Sequence, residues 1–382
     1  MTLPIIQMVR KEGVIDMAWG HPDPRLLPVA AMRRATEAAL DRYGDEALQY
    51  GHPMGPGPLL TWLRARITER EGRAPRPDEL LVTGGISHGL DLVLSWISAP
   101  GDAVLVETPT YHLATRILRD RGLKLVPVPT DADGLRVDAA AEAAAELRQE
   151  GRPARALYLV PTFNNPTGVS LSVERRAALL ALAEAEGLLI IEDDVYRELA
   201  YDGPAPPSLW SMAAPGTVAR LGSFAKTLAP GLRLGWLTGP GELVRRMVEG
   251  GLLDSGGGIN HFTALAVAVL CEAGDFDAQV VVLRAAYSER REALVAALRE
   301  HLPGCGVRRP EGGFFVWVEL PEGGPGASEL AARAEAEGVG YLPGERFHLD
   351  GGGRHCLRLA FSLYGPEELR EGARRLGRVV GM

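Results

Sequence analysis

The chain has 382 residues, of which 46% are hydrophobic, and its formal net charge at pH 7 is -8. This length exceeds what one ordinary hydrophobic core organises, so we expect a soluble globular protein with two lobes. Acidic and basic residues are interspersed along the chain, which argues against a nucleic-acid groove or an anionic membrane surface as the partner.

Cysteine usage and the N-terminal residues indicate a reducing, cytoplasmic compartment. Cys271, Cys305 and Cys356 are far apart and form no Cys-x-x-Cys pair, so we expect neither a disulfide framework nor a zinc site. The first 20 residues lack the long apolar run of a signal peptide. No apolar run approaches the ~20 residues that a membrane span needs.

In chain order, the first predicted element is a helix over 29–40, which follows a proline-rich entry at 21–24. Short apolar runs typical of buried strands then alternate with Ala-, Leu- and Arg-rich stretches typical of helices. The predicted strands cover 80–83, 103–106, 124–128, 156–160, 188–191, 218–221 and 232–237. The predicted helices between them cover 87–97, 111–121, 138–149 and 173–186. This alternation predicts an α/β fold with a mostly parallel central sheet and helices on both faces.

After residue 255 the pattern changes to an α+β type. A glycine-rich loop at 256–258 precedes a long helical region that ends near residue 301. A strand at 313–319, a helix at 327–337, a strand at 356–361 and a terminal helix at 366–379 follow. We therefore predict a large ligand-binding domain over 41–255 and a small C-terminal domain over 256–382. The N-terminal arm and helix, 1–40, are predicted to form part of the small lobe.

Glycines follow the first predicted strand at the end where a parallel sheet binds ligands. Gly84 and Gly85 open a helix at Ile86 and Ser87. Backbone N–H groups and the positive end of the helix dipole would suit a phosphate there. A Gly-Gly turn before a helix is also ordinary connection geometry, so both interpretations stay open at this point.

Two further strand exits carry an aromatic ring and an amide. Tyr111 follows the strand at 103–106, where its ring could stack on a flat heterocycle or pack on the neighbouring helix. Asn165 lies in the segment Asn-Asn-Pro-Thr-Gly at 164–168, which is turn chemistry first. Its amide could also donate a hydrogen bond to a phenolate oxygen.

Three acids, Glu192, Asp193 and Asp194, follow the strand at 188–191. Acids at the end of a buried strand are costly unless a positive charge offsets them, and a protonated ring nitrogen is one such charge. Since adjacent strand residues point to opposite faces, Asp193 and Asp194 cannot both face the same ligand. We expect Asp194 to be a helix cap or a surface acid.

A lysine and an arginine follow the strand at 218–221. The segment begins Ser223-Phe224-Ala225-Lys226, and Arg233 stands seven positions after the lysine. Desolvation or a nearby cation lowers the pKa of a lysine and makes the amine nucleophilic. Arg233 could supply that cation and also bind a phosphate with its planar fork. For Lys226 taken alone, a surface lysine on a loop is the alternative.

These five groups of residues, each directly after a predicted strand, occur in the same order along the chain as in fold type I enzymes that depend on pyridoxal phosphate (PLP). Residues 223–235 resemble the PLP-lysine segment of class I/II aminotransferases, commonly Ser-x-Ser/Ala-Lys followed by Gly-x-Arg-x-Gly. The resemblance covers nearly the whole chain. It is most similar to the 2-aminoadipate and kynurenine aminotransferase branch, which is also the catalytic-domain type of MocR regulators. It implies a fold type I PLP-dependent transferase with PLP as its cofactor, bound by the large domain.

The resemblance implies a cofactor role for each of these residues. The phosphate would be bound by Gly85, Ile86, Ser87, Ser223 and Arg233. Tyr111 would stack on the ring, and Asp193 would pair with the ring nitrogen. Asn165 and Tyr196 would donate to the phenolic oxygen. Lys226 would bond to the cofactor as an imine and then carry a proton. Lys226, Asp193 and Tyr111 are therefore the predicted catalytic residues.

The resemblance also implies residues for substrate and assembly. Arg358 matches the arginine that binds the substrate α-carboxylate, with a structural ion pair as the alternative. Asn165, Gly20 and His21 complete the predicted substrate pocket. Tyr50 matches a tyrosine that reaches the phosphate of the neighbouring subunit, which implies a homodimer with composite active sites.

The sequence departs from the family pattern at several positions. Ala225 replaces a second phosphate-binding serine found in many relatives. Trp19 and His21 stand in a segment that normally lines the pocket with small residues, and His52 is another large group near the expected substrate entrance. Asn260 would lie near the partner's site. These departures leave the substrate side chain open.

Three hypotheses follow for the function. The first is an aminotransferase that moves an amino group between an L-amino acid and a 2-oxo acid. The second is a PLP-dependent lyase or carbon–carbon bond-forming enzyme on the same fold, and class frequency favours the first. The third is a MocR-type transcription regulator, which requires a basic winged-helix domain before the PLP fold. No such domain precedes residue 20, so we expect no nucleic-acid partner.

Overall fold

In the computed structural model, which describes residues 5–7 and 10–381, an eight-stranded sheet lies at the centre of the larger lobe. Residues 1–4, 8–9 and 382, parts of the predicted N-terminal arm and small domain, lie outside the described residues. The strands are β1 (Ile15–Asp16), β2 (Leu80–Thr83), β3 (Ala103–Thr108), β4 (Lys124–Asp131), β5 (Gly134–Leu135), β6 (Ala156–Leu159), β7 (Leu189–Asp193), β8 (Val218–Ser223), β9 (Gly235–Thr238), β10 (Gly306–Val307), β11 (Phe315–Glu319), β12 (Val339–Gly340), β13 (Leu342–Pro343) and β14 (Cys356–Ala360).

The large sheet is mostly parallel, as predicted. Its strand order is β2-β9-β8-β7-β6-β3-β4-β5. The neighbours from β8 through β7, β6 and β3 to β4 run parallel, whereas β9 runs antiparallel to both β2 and β8. Strand β9 begins at Gly235 instead of residue 232, because Pro230–Leu232 forms a short 3-10 helix and Arg233 has a φ of 46°.

Helices cover both faces of this sheet. The helices of the described residues are α1 (Val29–Tyr43), α2 (Gly57–Glu71), α3 (Ile86–Ile97), α4 (His112–Asp120), α5 (Val137–Gln149), α6 (Val173–Glu186), α7 (Leu209–Met212), α8 (Gly241–Val248), α9 (Gly251–Asp254), α10 (His261–Glu272), α11 (Asp275–His301), α12 (Ala327–Ala336) and α13 (Pro366–Val380). The last three of them, α11 to α13, pack with the smaller lobe. Alternate residues of the strands enter two separate hydrophobic cores. In β3, Val104 and Val106 belong to the core that includes Leu90 of α3, while Leu105 belongs to the core that includes Leu179 of α6. Burial on both faces explains the nearly continuous apolar runs of these strands.

The smaller α+β lobe is built around a four-stranded antiparallel sheet in the order β10-β11-β14-β13. Helices α11 and α13 pack against each other beside it. The N-terminal segment joins this part of the molecule, because β1 pairs in parallel with β12. Helix α10 packs on α1 and α2. The domain boundaries at residues 41 and 256 stay a prediction.

The carboxyl ends of β6, β7 and β8 lie next to the smaller lobe. Arg358 of β14 donates to Asn165, which follows β6, and Lys226, which follows β8, donates to the backbone of Gly20. The fold thus brings the N-terminal segment, the large sheet and β14 together at one place. Across the described ranges, no helix is both long and apolar enough to cross a bilayer.

Candidate active site

A cavity of about 610 Å³ lies at the carboxyl ends of the parallel strands. Most of the residues predicted for the site line it: Gly20, His21, Ile86, Ser87, Tyr111, Asn165, Asp193, Tyr196, Ser223, Lys226, Arg233 and Arg358. Gly85 lies directly behind the wall, where a Cβ atom would be 3.2 Å from the Arg233 guanidinium. Tyr50 lies outside the cavity with 87% of its surface exposed.

One end of the cavity gathers hydrogen-bond donors suited to an anion. Helix α3 begins at Ile86, directly after Gly85, whose φ of 85° favours glycine. Ser223 Oγ accepts from the backbone N–H of Ala225 at 3.0 Å, and its hydroxyl donates to the carbonyl of Leu234 over a long distance of 3.4 Å. Arg233 donates to the carbonyl of Gly84 at 3.2 Å. A helix N-terminus, a hydroxyl and a guanidinium therefore meet at one place, which is the chemistry of a phosphate site.

The backbone of Arg233 adopts the left-handed conformation, which is uncommon for a residue with a side chain. Asn260, itself at a φ of 52°, donates through its side-chain amide to the Arg233 carbonyl. Such strain persists where the surroundings enforce it, and it concentrates at functional sites. Asn260 therefore supports the turn that places the Arg233 side chain.

Lys226 lies in the middle of the cavity. Its Nζ donates to the carbonyl of Gly20 at 2.9 Å. Burial lowers its pKa to about 8, with the nearby charges of Arg358 and Arg233 acting in the same direction and Asp193 against them. The uncharged fraction of the amine at neutral pH is therefore much larger than that of an ordinary lysine, which favours a role as nucleophile or proton carrier. Gly20 has no room for a side chain, since a Cβ atom would lie 2.6 Å from the Phe315 ring.

Asp193 presents an incompletely bonded carboxyl to the cavity. Its Oδ2 accepts from the hydroxyl of Tyr158 at 2.9 Å, while its buried Oδ1 has no hydrogen-bond partner within the described part of the chain. Burial raises the pKa of Asp193 to about 7. A carboxyl in this state lacks a cationic or protonated partner.

Tyr158 was missed by the sequence analysis. It lies on β6, opposite Ile191 of the neighbouring β7, two positions before Asp193. A tyrosine in a fully buried apolar strand needs a partner for its hydroxyl, and that requirement is the signal that could have identified it.

Asp194 and Glu192 point away from the cavity. Asp194 is buried and accepts from Arg197 at 2.5 Å and from Arg220 at 2.8 Å. Glu192 accepts from the backbone N–H groups of Leu209 and Trp210. The alternation predicted for Asp193 and Asp194 holds in the structure. The expectation that Asp194 is a helix cap or a surface acid is wrong, because two arginines from other segments neutralise it in the interior.

Arg358 lies on the side of the cavity that faces the smaller lobe. Its guanidinium donates to Asn165 Oδ1 at 2.9 Å and to the carbonyl of Ala18 at 2.5 Å, and its Nε is buried without a partner in the described ranges. The rings of Phe315 and Phe347 flank it at 4.2 and 4.8 Å. Burial lowers its pKa to about 10, so it stays charged at neutral pH. Arg358 forms no ion pair with the described residues, which leaves its charge available to an anionic ligand.

Glu107 is a second residue that the sequence analysis did not assign. Its Oε1 accepts from the backbone N–H of Val160 at 2.5 Å and from the amide of Asn164 at 2.8 Å. Burial raises its pKa to about 8. These bonds hold the turn that carries Asn165. Sequence patterns do not reveal this role, since the partners lie more than fifty positions apart.

Of the remaining residues named from the sequence, Tyr111 and Tyr196 line the cavity and His52 does not. Tyr111 is half-buried directly before α4 and lines the cavity, and burial raises its pKa. Burial also raises the pKa of Tyr196, so its hydroxyl stays protonated and able to donate. His52 is exposed and lies outside the cavity wall. The wall also contains residues that the sequence analysis left without a role: Trp19, His112, Tyr341 and Arg346.

The residues present fit pyridoxal phosphate. The donors around Arg233 suit its phosphate, the free Oδ1 of Asp193 suits a protonated ring nitrogen, and the Lys226 amine suits its aldehyde. Arg358 remains for a carboxylate outside the cofactor.

Comparisons with known proteins agree with this fit. A family model described as "Aminotransferase class I and II" matches residues 14–376. The 2-aminoadipate transaminase of Thermus thermophilus is 36% identical over 383 residues, covering 98% of this chain and 92% of the relative. The aromatic-amino-acid aminotransferase 1 of Thermococcus litoralis is 34% identical over 378 residues, covering 98% and 90%.

A solved aminotransferase structure has the same fold over nearly the whole chain. The kynurenine aminotransferase of Pyrococcus horikoshii, in complex with PMP, with KYN as substrates and KYA as products, superposes with a TM-score of 0.91. Its sequence is 33% identical, and the match covers 97% of this chain and 91% of that one. The likeness therefore includes both lobes.

Proposed function

The chain belongs to the class I and II aminotransferase family, and from this premise we propose how its cavity divides between cofactor and substrate. The activity is PLP-dependent transfer of an amino group, so the predicted fold type, cofactor and reaction are confirmed. The relatives give the lyase alternative no support. One observation carries the division: Asp193 and Arg358 each have a buried polar atom without a hydrogen-bond partner among residues 5–7 and 10–381, and the charges of both shift the pKa of Lys226.

For the cofactor we assign the residues on the large-sheet side of the cavity. Arg233, Ser223 and the backbone at 85–87 would hold the phosphate, Asn165 and Tyr196 the phenolic oxygen, Tyr111 the ring face and Asp193 the ring nitrogen. When bound, PLP withdraws electrons from the substrate Cα and so makes its proton acidic. Asp193 would keep the ring nitrogen protonated, and a single hydrogen bond from Tyr158 leaves the other carboxyl oxygen free for that purpose.

Lys226 has the role of moving a proton at the substrate Cα. Its lowered pKa lets it accept the proton at neutral pH, and the Gly20 carbonyl, 2.9 Å away, orients the amine. The cations Arg358 and Arg233 make the uncharged form more favourable. The same amine would then deliver the proton to the C4′ carbon of the cofactor instead of returning it to Cα, and hydrolysis would release the 2-oxo acid.

Arg358 would bind the substrate α-carboxylate through its fork. Its guanidinium is oriented by Asn165 and the Ala18 carbonyl, and the flanking rings of Phe315 and Phe347 exclude water. Gly20 and His21 would complete this wall.

For the substrate side chain we propose two classes, aromatic rings and distal carboxylates. Trp19, Tyr341 and His112 offer ring surface, and Arg346 lines the same cavity with no ion pair to a described residue. The relatives named above act on aromatic amino acids, 2-aminoadipate or kynurenine. An aromatic L-amino acid or 2-aminoadipate as donor and a dicarboxylic 2-oxo acid as acceptor would use both surfaces.

The substitution Arg346→Gln tests this assignment. We expect the KM for 2-aminoadipate and for 2-oxoglutarate to rise roughly tenfold, because a charged contact is lost, while the KM for phenylalanine stays unchanged. Arg119→Gln, at an exposed arginine on the surface of α4, is the control and should alter none of these values. Equal rises for the acidic and aromatic substrates would contradict the assignment.

Amino transfer itself has a direct readout in this protein. The yellow holoenzyme, incubated with a donor amino acid and no acceptor, should convert its cofactor to pyridoxamine phosphate with one equivalent of 2-oxo acid. An eliminated side-chain group without pyridoxamine phosphate would favour the lyase alternative.

We also propose a cytoplasmic homodimer in which Tyr50 reaches the partner's phosphate. Tyr50 is highly exposed beside the glycine-rich loop at 256–258, which supports this assembly because its ring is accessible to a neighbouring subunit. Sedimentation should give the mass of two chains, and Tyr50→Phe should weaken PLP affinity without dissociating them. A monomer of full activity would overturn the proposal.

A further inference from the structure

A second cavity, of about 600 Å³, shares no lining residue with the active-site cavity. It is bounded by α2, by the segment 197–205 after β7, by Arg220 of β8 and Trp236 of β9, and by α11. Its volume is that of a small-molecule site. The aminotransferase reaction described above makes no use of it.

The cavity contains guanidinium groups whose hydrogen bonding is incomplete. Arg66, with a side chain 8% exposed, donates to Glu198 at 3.0 Å and to Asp277 at 2.5 Å, which leaves its Nη2 buried without a partner among the described residues. Arg220, 6% exposed, donates to Asp194 at 2.8 Å, and its Nη1 is left in the same state. Arg197 Nη2 and Trp236 Nε1 also have no hydrogen-bond partner within the described ranges, and the same holds for two acceptors of the cluster, Glu71 Oε1 and Asp194 Oδ1.

The charges that face this cavity do not balance. Five arginines take part, at 66, 70, 197, 220 and 284, against four carboxylates, at 71, 194, 198 and 277. Although burial acts in the opposite direction, Arg220 and Arg197 lower the pKa of Glu71 to about 2. Five arginines against four carboxylates leave one formal positive charge in excess in this cluster. The wall itself contains all five arginines but only two of the carboxylates, Glu71 and Glu198, so the excess of positive charge at the wall calls for an anion.

The other walls of the cavity are apolar and flat. Trp62 and Phe276 pack edge to face with their ring centroids 5.1 Å apart, and the Arg66 guanidinium lies 4.9 Å from the Phe276 ring centroid. Trp236 and Tyr201 supply further ring surface. Such walls favour a ligand with a flat apolar body beside its anionic group.

We propose that this cavity is a second ligand site, which binds a small organic carboxylate with an aromatic body. The carboxylate accepts hydrogen bonds from the guanidinium N–H groups that the protein leaves unpaired, and the aromatic body packs against Trp62 and Phe276. The site is separate from the transfer reaction and does not depend on the substrate assignment above.

The probe is phenylacetate, titrated into the PLP-loaded enzyme by calorimetry, with the cofactor absorbance followed in parallel to report binding in the active site. In Ala285→Trp, a bulky ring replaces an exposed alanine on the cavity wall, and every charge of the cluster is retained. Arg66→Met removes one of the free donors. Arg64→Met, at an exposed arginine on the same helix, is the matched control.

We expect phenylacetate to bind with heat that is independent of the cofactor absorbance change. Ala285→Trp and Arg66→Met should weaken this binding by roughly tenfold or more, and Arg64→Met should leave it unchanged. Since Ala285→Trp keeps the ion pairs, it remains informative if Arg66→Met does not fold.

Three results would overturn the proposal. One is the absence of heat beyond that of active-site binding, which would mean that water fills the cavity. Another is equal affinity in wild type and Ala285→Trp. The third is inorganic phosphate binding as tightly as phenylacetate, because phosphate leaves the aromatic wall unused.

Discussion

Asp193 and Asp194 are consecutive residues with opposite surroundings. Asp194 is neutralised by Arg197 and Arg220, whereas Asp193 accepts one side-chain hydrogen bond, from Tyr158, and forms no ion pair with a described residue. Both carboxyls are buried, so burial alone does not distinguish them. The difference is one of charge: two guanidinium groups neutralise Asp194, whereas among the described residues Asp193 forms no ion pair, which leaves room for a cationic ligand group.

The same contrast extends to the groups around each acid. In the active-site cavity, burial outweighs the mutual attraction of Asp193 and Lys226, and it raises the pKa of Asp193 to about 7 and lowers that of Lys226 to about 8. The arginine cluster is the set of arginines that line the second cavity, at 66, 70, 197, 220 and 284. There the positive charges of Arg220 and Arg197 outweigh the effect of burial and hold the pKa of Glu71 near 2. Groups that titrate near neutral pH are therefore concentrated where proton transfer is needed.

The largest effect is expected at Lys226. Lys226→Ala should lower kcat by a factor on the order of 10⁴ or more, because no other described amine lies in the cavity to move the proton. The cofactor absorbance change on adding an amino donor should be lost. Lys124→Ala, at an exposed lysine of β4, is the control and should keep full activity. Retained transfer in the Lys226 variant would remove this residue from the mechanism.

Asp194→Asn tests the acid that two arginines neutralise. We expect the free energy of unfolding to fall by about 3–5 kcal/mol, because Arg197 and Arg220 lose a buried counter-charge. Chemical denaturation measures this, and kcat per folded molecule should change little. Asp41→Asn, at an exposed acid, should leave stability unchanged. A large loss of kcat without loss of stability would reverse the roles assigned to the two acids.

Asp193→Asn tests the acid that faces the cavity without an ion pair. We expect kcat to fall by roughly 10²–10³-fold, since an amide cannot keep the ring nitrogen protonated. The unfolding free energy of the cofactor-free protein should not fall, because no ion pair is lost. Steady-state kinetics and denaturation on the same preparation separate the two effects, and Asp194→Asn serves as the opposite control.

The smallest effect concerns pH. The folded-state pKa of Asp193 lies near 7, above its ordinary value of 3.8, so between these values the folded cofactor-free protein holds a proton that the unfolded chain has released. Stability due to this group therefore falls as pH rises. Relative to Asp193→Asn, the wild type should lose about 2 kcal/mol between pH 5 and pH 7. Parallel stability curves for the two proteins would show that Asp193 does not titrate in this range.

Much of the fold followed from local patterns. Apolar runs predicted the strands of the large sheet, and Ala- and Leu-rich stretches predicted the helices between them, because period and composition are properties of neighbouring residues. Strand β9 shows the limit. Its antiparallel direction and its start at Gly235 depend on a backbone turn at Arg233 that Asn260, far along the chain, holds in place.

The residues at the strand exits could likewise be identified from the chain, since a parallel sheet places every carboxyl end at one edge and the motif order supplied their roles. The contacts between residues far apart in the chain could not be identified from the sequence. The Gly20 carbonyl on Lys226, the Tyr158 hydroxyl on Asp193 and the turn held by Glu107 all join residues more than thirty positions apart. The arginine cluster unites side chains from α2, β8 and α11. Folding alone determines which charges find a partner in the interior, because partners, burial and the resulting pKa values arise only when distant segments are packed together.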